Sequence, residues 1–316
     1  MNDNVRIALV GSGYMAEEHI KAIHSLDDVE VVSIISRNTD SARVLARRYG
    51  IQQIFNSLTK SHDECHADGA VIAVPELALP VVLEEATRFP WQLLVEKPIG
   101  IDLAVATRLD ELVTKRGRGV FVALNRRHFA STRLVLENLD ANGPSRFVQV
   151  LDQENELAAR EFGQPEEVIR NWMFANSIHL IDLIMLFCRG EVSKITSNLI
   201  WQVGESKAIN ADIAFDSGDC ATYQAVWNVP GPWSFSLTQG NRRWEMKPLE
   251  TLVRLENGSR TPIVSDLGQI DLDFKPGVLI QAEQFINVIR GVHSTVPSVH
   301  DVLRSMNLID GIYRDI

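Results

Sequence analysis

A short glycine-rich segment near the start of the chain has the residue types and spacing needed to hold phosphate groups. Residues 11–16, Gly-Ser-Gly-Tyr-Met-Ala, fit the pattern G-x-G-x-x-G/A and directly follow an apolar run, Val5–Val10. In this pattern the first glycine permits a tight turn, the second lets the backbone approach a pyrophosphate, and the small last residue lets a helix pack on the strand. Free N–H groups at the helix start then face the phosphates. The segment therefore predicts a dinucleotide site at Gly11 and Gly13.

The end of the next apolar run bears on which dinucleotide is bound. The run Val29–Ser36 ends in a serine and is followed by Arg37. An acidic residue at this point binds the ribose 2′-hydroxyl of NAD, whereas an arginine accommodates the 2′-phosphate of NADP. Ser36 can hydrogen-bond that phosphate, and Arg37 can pair with it and cover the adenine. We therefore expect NADP as the preferred cofactor, with NAD as the alternative.

Two other residues have side chains suited to proton transfer. Lys97 follows the apolar run Gln92–Val95, and an ammonium group at a strand end can stabilise a developing alkoxide or relay a proton. His179 lies in a strongly apolar segment with Asn176 and Asp182 three residues away on either side, so the three can share a helical surface. A neutral imidazole can take up a hydroxyl proton as hydride leaves. The structural alternatives are a surface lysine and a buried core histidine.

The first part of the chain has the pattern of alternating strands and helices that could position these residues. Short β-branched runs separated by helical segments are typical of a parallel sheet covered on both faces. The predicted strands are Val5–Val10, Val29–Ser36, Ala70–Val74, Gln92–Val95 and Gly119–Ala123, and the predicted helices are Met15–Leu26, Asp40–Tyr49, Pro80–Arg88 and Leu103–Lys115. The pattern predicts an α/β fold that begins with a doubly wound Rossmann sheet.

The pattern changes after about residue 124, where longer and roughly alternating strands predominate. The predicted strands are Phe147–Leu151, Ser193–Ile200, Cys220–Trp227, Trp233–Thr238 and Thr251–Leu255, and the predicted helices are Asn171–Phe187, Gly277–Arg290 and Val299–Tyr313. Few helices between strands favour an α+β domain with an open, mostly antiparallel sheet. We therefore predict a cofactor domain over 1–122 and a substrate-binding and dimerisation domain over 123–316, with the last helix packing back on the first domain.

Composition excludes several classes of protein. The chain has 316 residues, 45% hydrophobic content and a formal net charge of −10. That charge disfavours nonspecific nucleic-acid binding, and the absence of a long apolar run argues against a membrane span. The first residues do not resemble a secretory signal, so a cytoplasmic location is expected. Three scattered cysteines predict no disulfide framework, and the cluster His62, Cys65 and His66 has no second ligand group, so we expect no metal site.

Several segments together resemble the glucose–fructose oxidoreductase, inositol dehydrogenase and rhizopine-catabolism (Gfo/Idh/MocA) family. These segments are the glycine loop, Asp68–Pro75, Glu96–Gly100, Asn125-Arg126-Arg127, His179–Asp182 and a closing segment from Phe274 to Tyr313. The resemblance implies that the cofactor is contacted by Gly11, Gly13, Tyr14, Met15, Ser36, Arg37, Val74, Pro75, Glu96, Lys97 and Asn125. It implies substrate contacts by Lys97, Arg126, Arg127, Asn176, His179 and Asp182, with Lys97 and His179 as the catalytic residues.

The resemblance implies an NAD(P)-dependent oxidoreductase that transfers hydride between nicotinamide and a carbon of a sugar, polyol or sugar nucleotide. Similarity to relatives of surface-polysaccharide pathways suggests such a role. In relatives the open face of the C-terminal sheet forms the dimer, so the resemblance also implies a homodimer or homotetramer. Many family enzymes carry an aspartate four residues before the histidine, where this chain has Ala175, and a tyrosine before Asn125, where it has Leu124. Two alternatives therefore stay open: a catalytically inactive dinucleotide-binding regulator, and a redox-assisted sugar lyase or hydrolase.

Overall fold

The computed structural model describes residues 4–198 and 200–313. The chain forms two compact units. The first comprises the chain up to His128 together with Leu272–Leu303, and the second comprises Phe129–Asp271 together with the chain from Arg304 onward. The domain boundary between residues 122 and 123, and the packing of the last helix on the first domain, remain predictions.

The first unit is an alternation of strands and helices. Its strands are β1 (Val5–Val10), β2 (Val29–Ile35), β3 (Gln53–Phe55), β4 (Gly69–Ile72), β5 (Gln92–Glu96) and β6 (Val120–Ala123), and its helices begin with α1 (Tyr14–His24), α2 (Thr39–Tyr49), α3 (Leu58–Cys65), α4 (Leu79–Ala86) and α5 (Leu103–Arg116). The six strands form one parallel sheet in the order β3-β2-β1-β4-β5-β6. This order is that of a doubly wound dinucleotide-binding sheet, and it confirms the predicted Rossmann fold.

Local sequence signals fix the ends of the helices in this unit. The Asn38 side chain accepts hydrogen bonds from the backbone of Asp40 and Ser41 at the start of α2, and Gly50 ends that helix with φ +70°. Asp102 caps α5 in the same way, and Gly117 ends it. Side-chain caps satisfy the first free N–H groups of a helix, and glycine adopts the left-handed conformation without cost from a Cβ atom.

The second unit is built on a larger sheet. Its strands are β7 (Arg146–Glu154), β8 (Val192–Ser197), β9 (Ala208–Phe215), β10 (Cys220–Trp227), β11 (Ser234–Gln239), β12 (Arg242–Met246), β13 (Val253–Glu256) and β14 (Ile263–Val264). Between β6 and β8 lie α6 (Ala130–Asn138), α7 (Glu156–Glu161), α8 (Glu166–Arg170) and α9 (Ile178–Phe187), and the chain closes with α10 (Ile270–Asp273), α11 (Val278–Ile289) and α12 (Val299–Tyr313).

The eight strands follow the order β14-β13-β12-β11-β7-β10-β9-β8. All neighbouring pairs are antiparallel except β7 with β10, which confirms the predicted open, mostly antiparallel sheet. Strand β7 alternates strictly, with every second residue from Arg146 to Glu154 buried. Because side chains alternate between the faces of a strand, Asp152 and Glu154 share the buried face with Val148 and Val150.

The structure differs from the sequence-based elements in a few places. Strands β3, β9 and β12 and helices α3, α6, α7, α8 and α10 were not predicted. The predicted helix over Asn171–Phe187 is wrong as a single helix, because Met173–Ser177 forms a π-helical turn before α9. A π-helical turn has i→i+5 hydrogen bonds and so contains one more residue than a regular helical turn, and no residue type signals it in advance. Leu199, within the predicted strand Ser193–Ile200, lies outside the described residues.

Within the described residues, no helix combines the length and apolar character that a membrane crossing requires.

Candidate functional site

The glycine loop has the backbone geometry that a bound pyrophosphate needs. Gly11 has φ +117°, and a Cβ atom there would lie 2.0 Å from the carbonyl oxygen of Ala73, so only glycine fits. Gly13 precedes α1, and no side chain caps the first turn of that helix. The first N–H groups of α1 are thus left for a ligand, which fits the phosphates of a dinucleotide.

The predicted cofactor residues of the first unit lie at one edge of its sheet. All six strands are parallel, so their carboxyl ends meet at the same edge. The loop at Gly11 follows β1, Ser36 and Arg37 follow β2, Val74 and Pro75 follow β4, Lys97 follows β5 and Asn125 follows β6. Strand order reverses between β1 and β4, the point at which ligands bind in such sheets. The sheet topology therefore brings these predicted residues to one edge.

A group of hydroxyls lies at the end of β2, where the ribose of a dinucleotide is expected. The Oγ atom of Ser12 is 2.9 Å from Oγ of Ser36 and 2.6 Å from Oγ of Ser41. Arg37 is exposed beside them. Hydroxyls and a guanidinium are suitable donors for a phosphate group. Ser12 and Ser41 were not identified from sequence, because only the packing of the loop against α2 brings them to Ser36.

A buried pair anchors the glycine-loop helix to the strand that carries Lys97. Nε2 of His19, on α1, lies 2.8 Å from Oε1 of Glu96, and both side chains are almost fully enclosed. Lys97 comes next in the chain, is half-buried, and is joined to Pro98 by a cis peptide bond. Glu96 was predicted as a cofactor residue, and His19 was not singled out. The hydrogen bond between His19 and Glu96 holds the end of β5 against α1.

The closing segment of the first unit reaches the same group of elements. Nδ2 of Asn125 donates to the carbonyl oxygen of Pro276 at 2.9 Å, and Nη1 of Arg126 donates to Oδ1 of Asn125 at 3.2 Å. Nζ of Lys275 lies 5.3 Å from the centre of the Tyr14 ring, within the range of a cation–π contact. Tyr14 and Lys275 are thus neighbours, although they stand far apart in the sequence.

The predicted residues of the second unit lie on and before α9. His179 is buried, and its ring centre is 6.4 Å from that of Trp233. Asp182 is buried on the same helix, and its Oδ1 accepts a 2.7 Å hydrogen bond from Ser305 of α12. That contact ties α9 to the last helix. Asn176 lies in the preceding π-helical turn, where its side chain meets a carboxylate that sequence reasoning missed.

That carboxylate belongs to Glu154, the last residue of β7. Its Oε2 accepts hydrogen bonds from Nε1 of Trp172 at 2.7 Å and from Nδ2 of Asn176 at 2.8 Å, and its Oε1 accepts one from Oγ of Ser177 at 3.1 Å. Burial, and then the charge of Asp152, hold the pKa of Glu154 well above its usual value. Burial likewise raises the pKa of Asp152, whose Oδ2 accepts a 2.7 Å bond from Tyr223.

Glu154 also lines a cavity of about 490 Å³ within the second unit. Ten residues line it: Gln153, Glu154, Asn155, Ala158, Ala159, Phe162, Gln164, Trp172, Asn176 and Trp233. The alternation of β7 is the one sequence signal that could have placed Glu154 on a buried face, since it follows Val148, Val150 and Asp152 at every second position.

Comparison with known proteins agrees with this description. Residues 5–124 match the model of an oxidoreductase family with an NAD-binding Rossmann fold, Gfo/Idh/MocA, as the resemblance predicted. The chain is 22% identical over 308 residues to 4-carboxy-2-hydroxymuconate-6-semialdehyde dehydrogenase of Sphingobium sp., with 95% of each chain covered. It is 25% identical over 138 residues to inositol 2-dehydrogenase of Rhizobium meliloti, covering 42% of this chain and 41% of that protein.

A solved structure shows the same fold. The UDP-N-acetylglucosamine 3-dehydrogenase of Acidithiobacillus ferrooxidans superposes with a TM-score of 0.79 at 17% identity, covering 98% of this chain and 97% of that one. At this identity the similarity concerns the fold alone.

Proposed function

From the match of residues 5–124 to the Gfo/Idh/MocA oxidoreductase family, we propose that this chain transfers hydride between a nicotinamide dinucleotide and a CH–OH carbon of a sugar, polyol or sugar nucleotide. One observation carries the proposal: the glycine loop with Gly11 and the strand end with Lys97 lie at the same carboxyl edge of the parallel sheet. Nicotinamide, when bound, takes up or supplies the hydride.

We propose NADP as the preferred cofactor, with NAD as the alternative. No acidic side chain follows β2 directly, and Ser36 and Arg37 stand in its place. The hydroxyls of Ser12 and Ser41 add two further donors for a 2′-phosphate beside Ser36. The remaining cofactor contacts are those predicted from the resemblance: Gly11, Gly13, Tyr14, Met15, Val74, Pro75, Glu96, Lys97 and Asn125.

Lys97 and His179 are proposed to handle the hydroxyl proton. The Lys97 ammonium hydrogen-bonds the substrate oxygen and stabilises the negative charge that develops on it. The His179 imidazole accepts the hydroxyl proton in oxidation and returns it in reduction. Arg126, Arg127, Asn176 and Asp182 are proposed as substrate contacts, with Asn176 supported by its position in the cavity wall.

Two other assignments stay proposals. A homodimer or homotetramer formed through the open sheet face fits the exposed Phe147 on β7, opposite the buried side chains of that strand. A role in surface-polysaccharide synthesis rests on the resemblance alone. A catalytically inactive regulator is the second candidate function, and Ala175 in place of the family aspartate favours it.

The test combines cofactor binding with turnover. We expect calorimetry to show binding of NADPH more tightly than NADH, and the absorbance of reduced nicotinamide to change with some member of a panel of sugars, polyols and sugar nucleotides. The variant Lys97→Met should lose about 100-fold or more in kcat, the usual scale for one electrostatic group aimed at the reacting oxygen.

Lys115→Met is the matched control, because Lys115 is an exposed residue in the last turn of α5. Its turnover should equal that of the wild type. Binding of neither dinucleotide would overturn the proposal, and tight cofactor binding without any turnover would favour the regulator.

A further inference from the structure

A lysine from the closing segment lies over the first residue of the glycine-loop helix. Nζ of Lys275 is 5.3 Å from the centre of the Tyr14 ring, and Tyr14 directly follows Gly13 at the start of α1. Tyr14 is 64% exposed, so the ring and the ammonium meet at the surface of the loop. The backbone N–H of Tyr14 belongs to the first turn of α1, which no side chain caps. The ammonium is therefore within a side chain's length of the predicted phosphate site.

The backbone beside Lys275 is fixed by contacts within the first unit. Nδ2 of Asn125 donates to the carbonyl oxygen of Pro276 at 2.9 Å, and the N–H of Val278 donates to the carbonyl oxygen of Lys275 at 3.0 Å. Helix α11 also packs on α1 in a buried apolar cluster. The members of the cluster on these two helices are Ala16, Ile20, Ala22, Ile23, Val278, Ala282, Phe285 and Ile286. A ligand in the glycine loop would thus meet this lysine at a fixed place.

The charges around the start of α1 are matched unequally. Glu17 is the acidic residue of the first turn, and Arg48 pairs with it. No carboxylate among the residues that the structure describes pairs with Lys275, whose contact is with the Tyr14 ring. A cation–π contact at an exposed site is weak, whereas a charge-assisted hydrogen bond to a phosphate is stronger. An anion in the loop would therefore draw the ammonium away from the ring.

The glycine loop itself has no cationic side chain. Residues 11–16 are Gly, Ser, Gly, Tyr, Met and Ala, so the loop offers a diphosphate only N–H and hydroxyl donors. The N–H dipoles of a helix start offset part of the negative charge of a phosphate. A lysine ammonium is a compact point charge that binds phosphate oxygens and can offset the rest.

We propose that Lys275 is a cofactor-binding residue, whose ammonium exchanges the Tyr14 ring for the diphosphate of a bound nicotinamide dinucleotide. Tyr14 holds the lysine beside the loop until the ligand arrives. The inference rests on the proposed function in taking that ligand to be a dinucleotide. Because NADPH and NADH share the diphosphate, Lys275 contributes equally to the binding of both, unlike Ser36 and Arg37 at the ribose.

The experiment measures dissociation constants by calorimetry on the full chain. The ligands are NADPH, NADH and two fragments that keep the diphosphate but lack nicotinamide, ADP-ribose and its 2′-phosphate. We expect Lys275→Met to raise the dissociation constant of each ligand by about tenfold, the scale of one charge-assisted hydrogen bond. The ratio of NADPH to NADH affinity should stay that of the wild type.

Two further variants separate the charge of Lys275 from other effects. Lys275→Arg keeps a cation at this position and should restore most of the affinity that Lys275→Met loses. Lys115→Met is the matched control, because it removes the same charge from an exposed position in the last turn of α5. Its dissociation constants should equal those of the wild type.

A second measurement uses the unaltered chain. Acetic anhydride modifies accessible lysine side chains, and mass spectrometry reports the extent of modification at each one. We expect a saturating diphosphate fragment to slow the acetylation of Lys275, because the bound diphosphate covers its ammonium, and to leave that of Lys115 unchanged. This result decides even if Lys275→Met fails to fold.

The outcomes distinguish this inference from the proposed function. The inference is wrong if Lys275→Met leaves the dissociation constants unchanged, if it weakens NADPH alone, if Lys115→Met loses as much, or if a bound fragment does not slow the acetylation of Lys275. In those cases the proposed function still stands on dinucleotide binding and turnover. If binding depends on Lys275 but no sugar, polyol or sugar nucleotide is turned over, the inference stands and the proposed hydride transfer fails. Failure of every ligand to bind the wild type overturns both.

Discussion

Two of the buried carboxyl groups of the second unit, Asp219 and Glu154, have opposite surroundings. Asp219 faces a cation: its Oδ1 accepts a 2.6 Å hydrogen bond from Nη2 of Arg189, and the backbone N–H groups of Arg146 and Arg189 donate to the same side chain. Glu154 is held by an indole, an amide and a hydroxyl, and it lines a cavity. A fixed cation stabilises the charged form of a buried carboxyl group, whereas burial without a cation favours its neutral form.

The two groups also titrate in opposite directions. Burial alone would raise the pKa of Asp219, but the hydrogen bonds from Arg189 and from two backbone N–H groups outweigh it, and the pKa of Asp219 lies below its usual value. Burial raises the pKa of Glu154 well above its usual value, and the neighbouring Asp152 adds to that shift. The contrast shows that depth of burial does not decide the charge state of a carboxyl group. Its partners do.

The largest expected effect comes from removing the cation of the first pair. Arg189→Met leaves the Asp219 carboxylate buried without its ion-pair partner, and we expect a loss of about 3–5 kcal/mol in the free energy of unfolding, measured by urea denaturation. Arg160→Met is the matched control, because Arg160 pairs with Glu166 in an exposed position at 3.0 Å. That variant should lose less than about 1 kcal/mol. Equal losses in both variants would contradict the structural role of Asp219.

The second prediction uses the sign of the pH dependence. Since the pKa of Glu154 is raised in the folded state, the stability it contributes is complete below its usual pKa of 4.5 and is lost as pH rises through the raised value. Between those limits Glu154→Gln should therefore lose less stability than the wild type on going to higher pH, by about 1.4 kcal/mol for each unit of the shift. The free energy of unfolding against pH measures this.

Asp219 should behave in the opposite way. Its lowered pKa means that its contribution is present above the usual value of 3.8 and is lost as pH falls through the lowered value. Asp219→Asn is then expected to flatten the acid side of the stability profile, whereas Glu154→Gln flattens the side above 4.5. Oδ2 of Asp152 accepts a hydrogen bond from Tyr223, whose hydroxyl also contacts that of Tyr313. Because burial raises the pKa of Asp152 as well, Asp152→Asn should act in the same direction as Glu154→Gln. If all three variants flattened the same side of the stability profile, the pKa values of Asp219 and Glu154 would not be shifted in opposite directions.

The smallest expected effect concerns the neutral donors to Glu154. Trp172→Phe removes the N–H group that donates to the Glu154 carboxyl and keeps an aromatic ring, so we expect a loss of about 1–3 kcal/mol in the free energy of unfolding. Trp233→Phe removes a bond to a neutral backbone carbonyl, that of Gln153, and should cost about 1 kcal/mol. Thermal or urea denaturation would show the order of the two variants. A larger loss for Trp233→Phe would contradict a stronger hydrogen bond to the Glu154 carboxyl than to the Gln153 carbonyl.

Much of the first unit could be predicted from the sequence. The apolar runs of β1, β2, β4, β5 and β6 and the glycine loop are local patterns, and the structure has strands at these places in the expected parallel order. The short strand β3 and helix α3 were missed. Strand β3 has only three residues of moderate exposure, and so short a pattern cannot be distinguished from a loop. The hydrogen bond between the hydroxyls of Ser41 and Ser12 was also missed, because it forms only when α2 packs beside the glycine loop.

The second unit was less accessible to such reasoning. Its open sheet and the helix with His179 were expected, but Glu154, Trp172 and Trp233 were not recognised as neighbours. Glu154 lies on β7, Trp172 follows α8 and Trp233 precedes β11. Their contact depends on the long-range register of the sheet. The π-helical turn at Met173–Ser177 also shifts Asn176 from the position that a regular helix would give it.

The sequence by itself determined the backbone chemistry of this protein: a glycine where only glycine fits, capped helices, and alternating or continuous apolar strands. These features depend on neighbours within a few residues and can be recognised locally. Only the tertiary structure decided which charges are matched. Asp219 and Glu154 are both acidic residues on or beside a strand, and what separates them is that Arg189 reaches one and not the other. Electrostatic energy depends on distances through space, and those are set when the sheet is assembled.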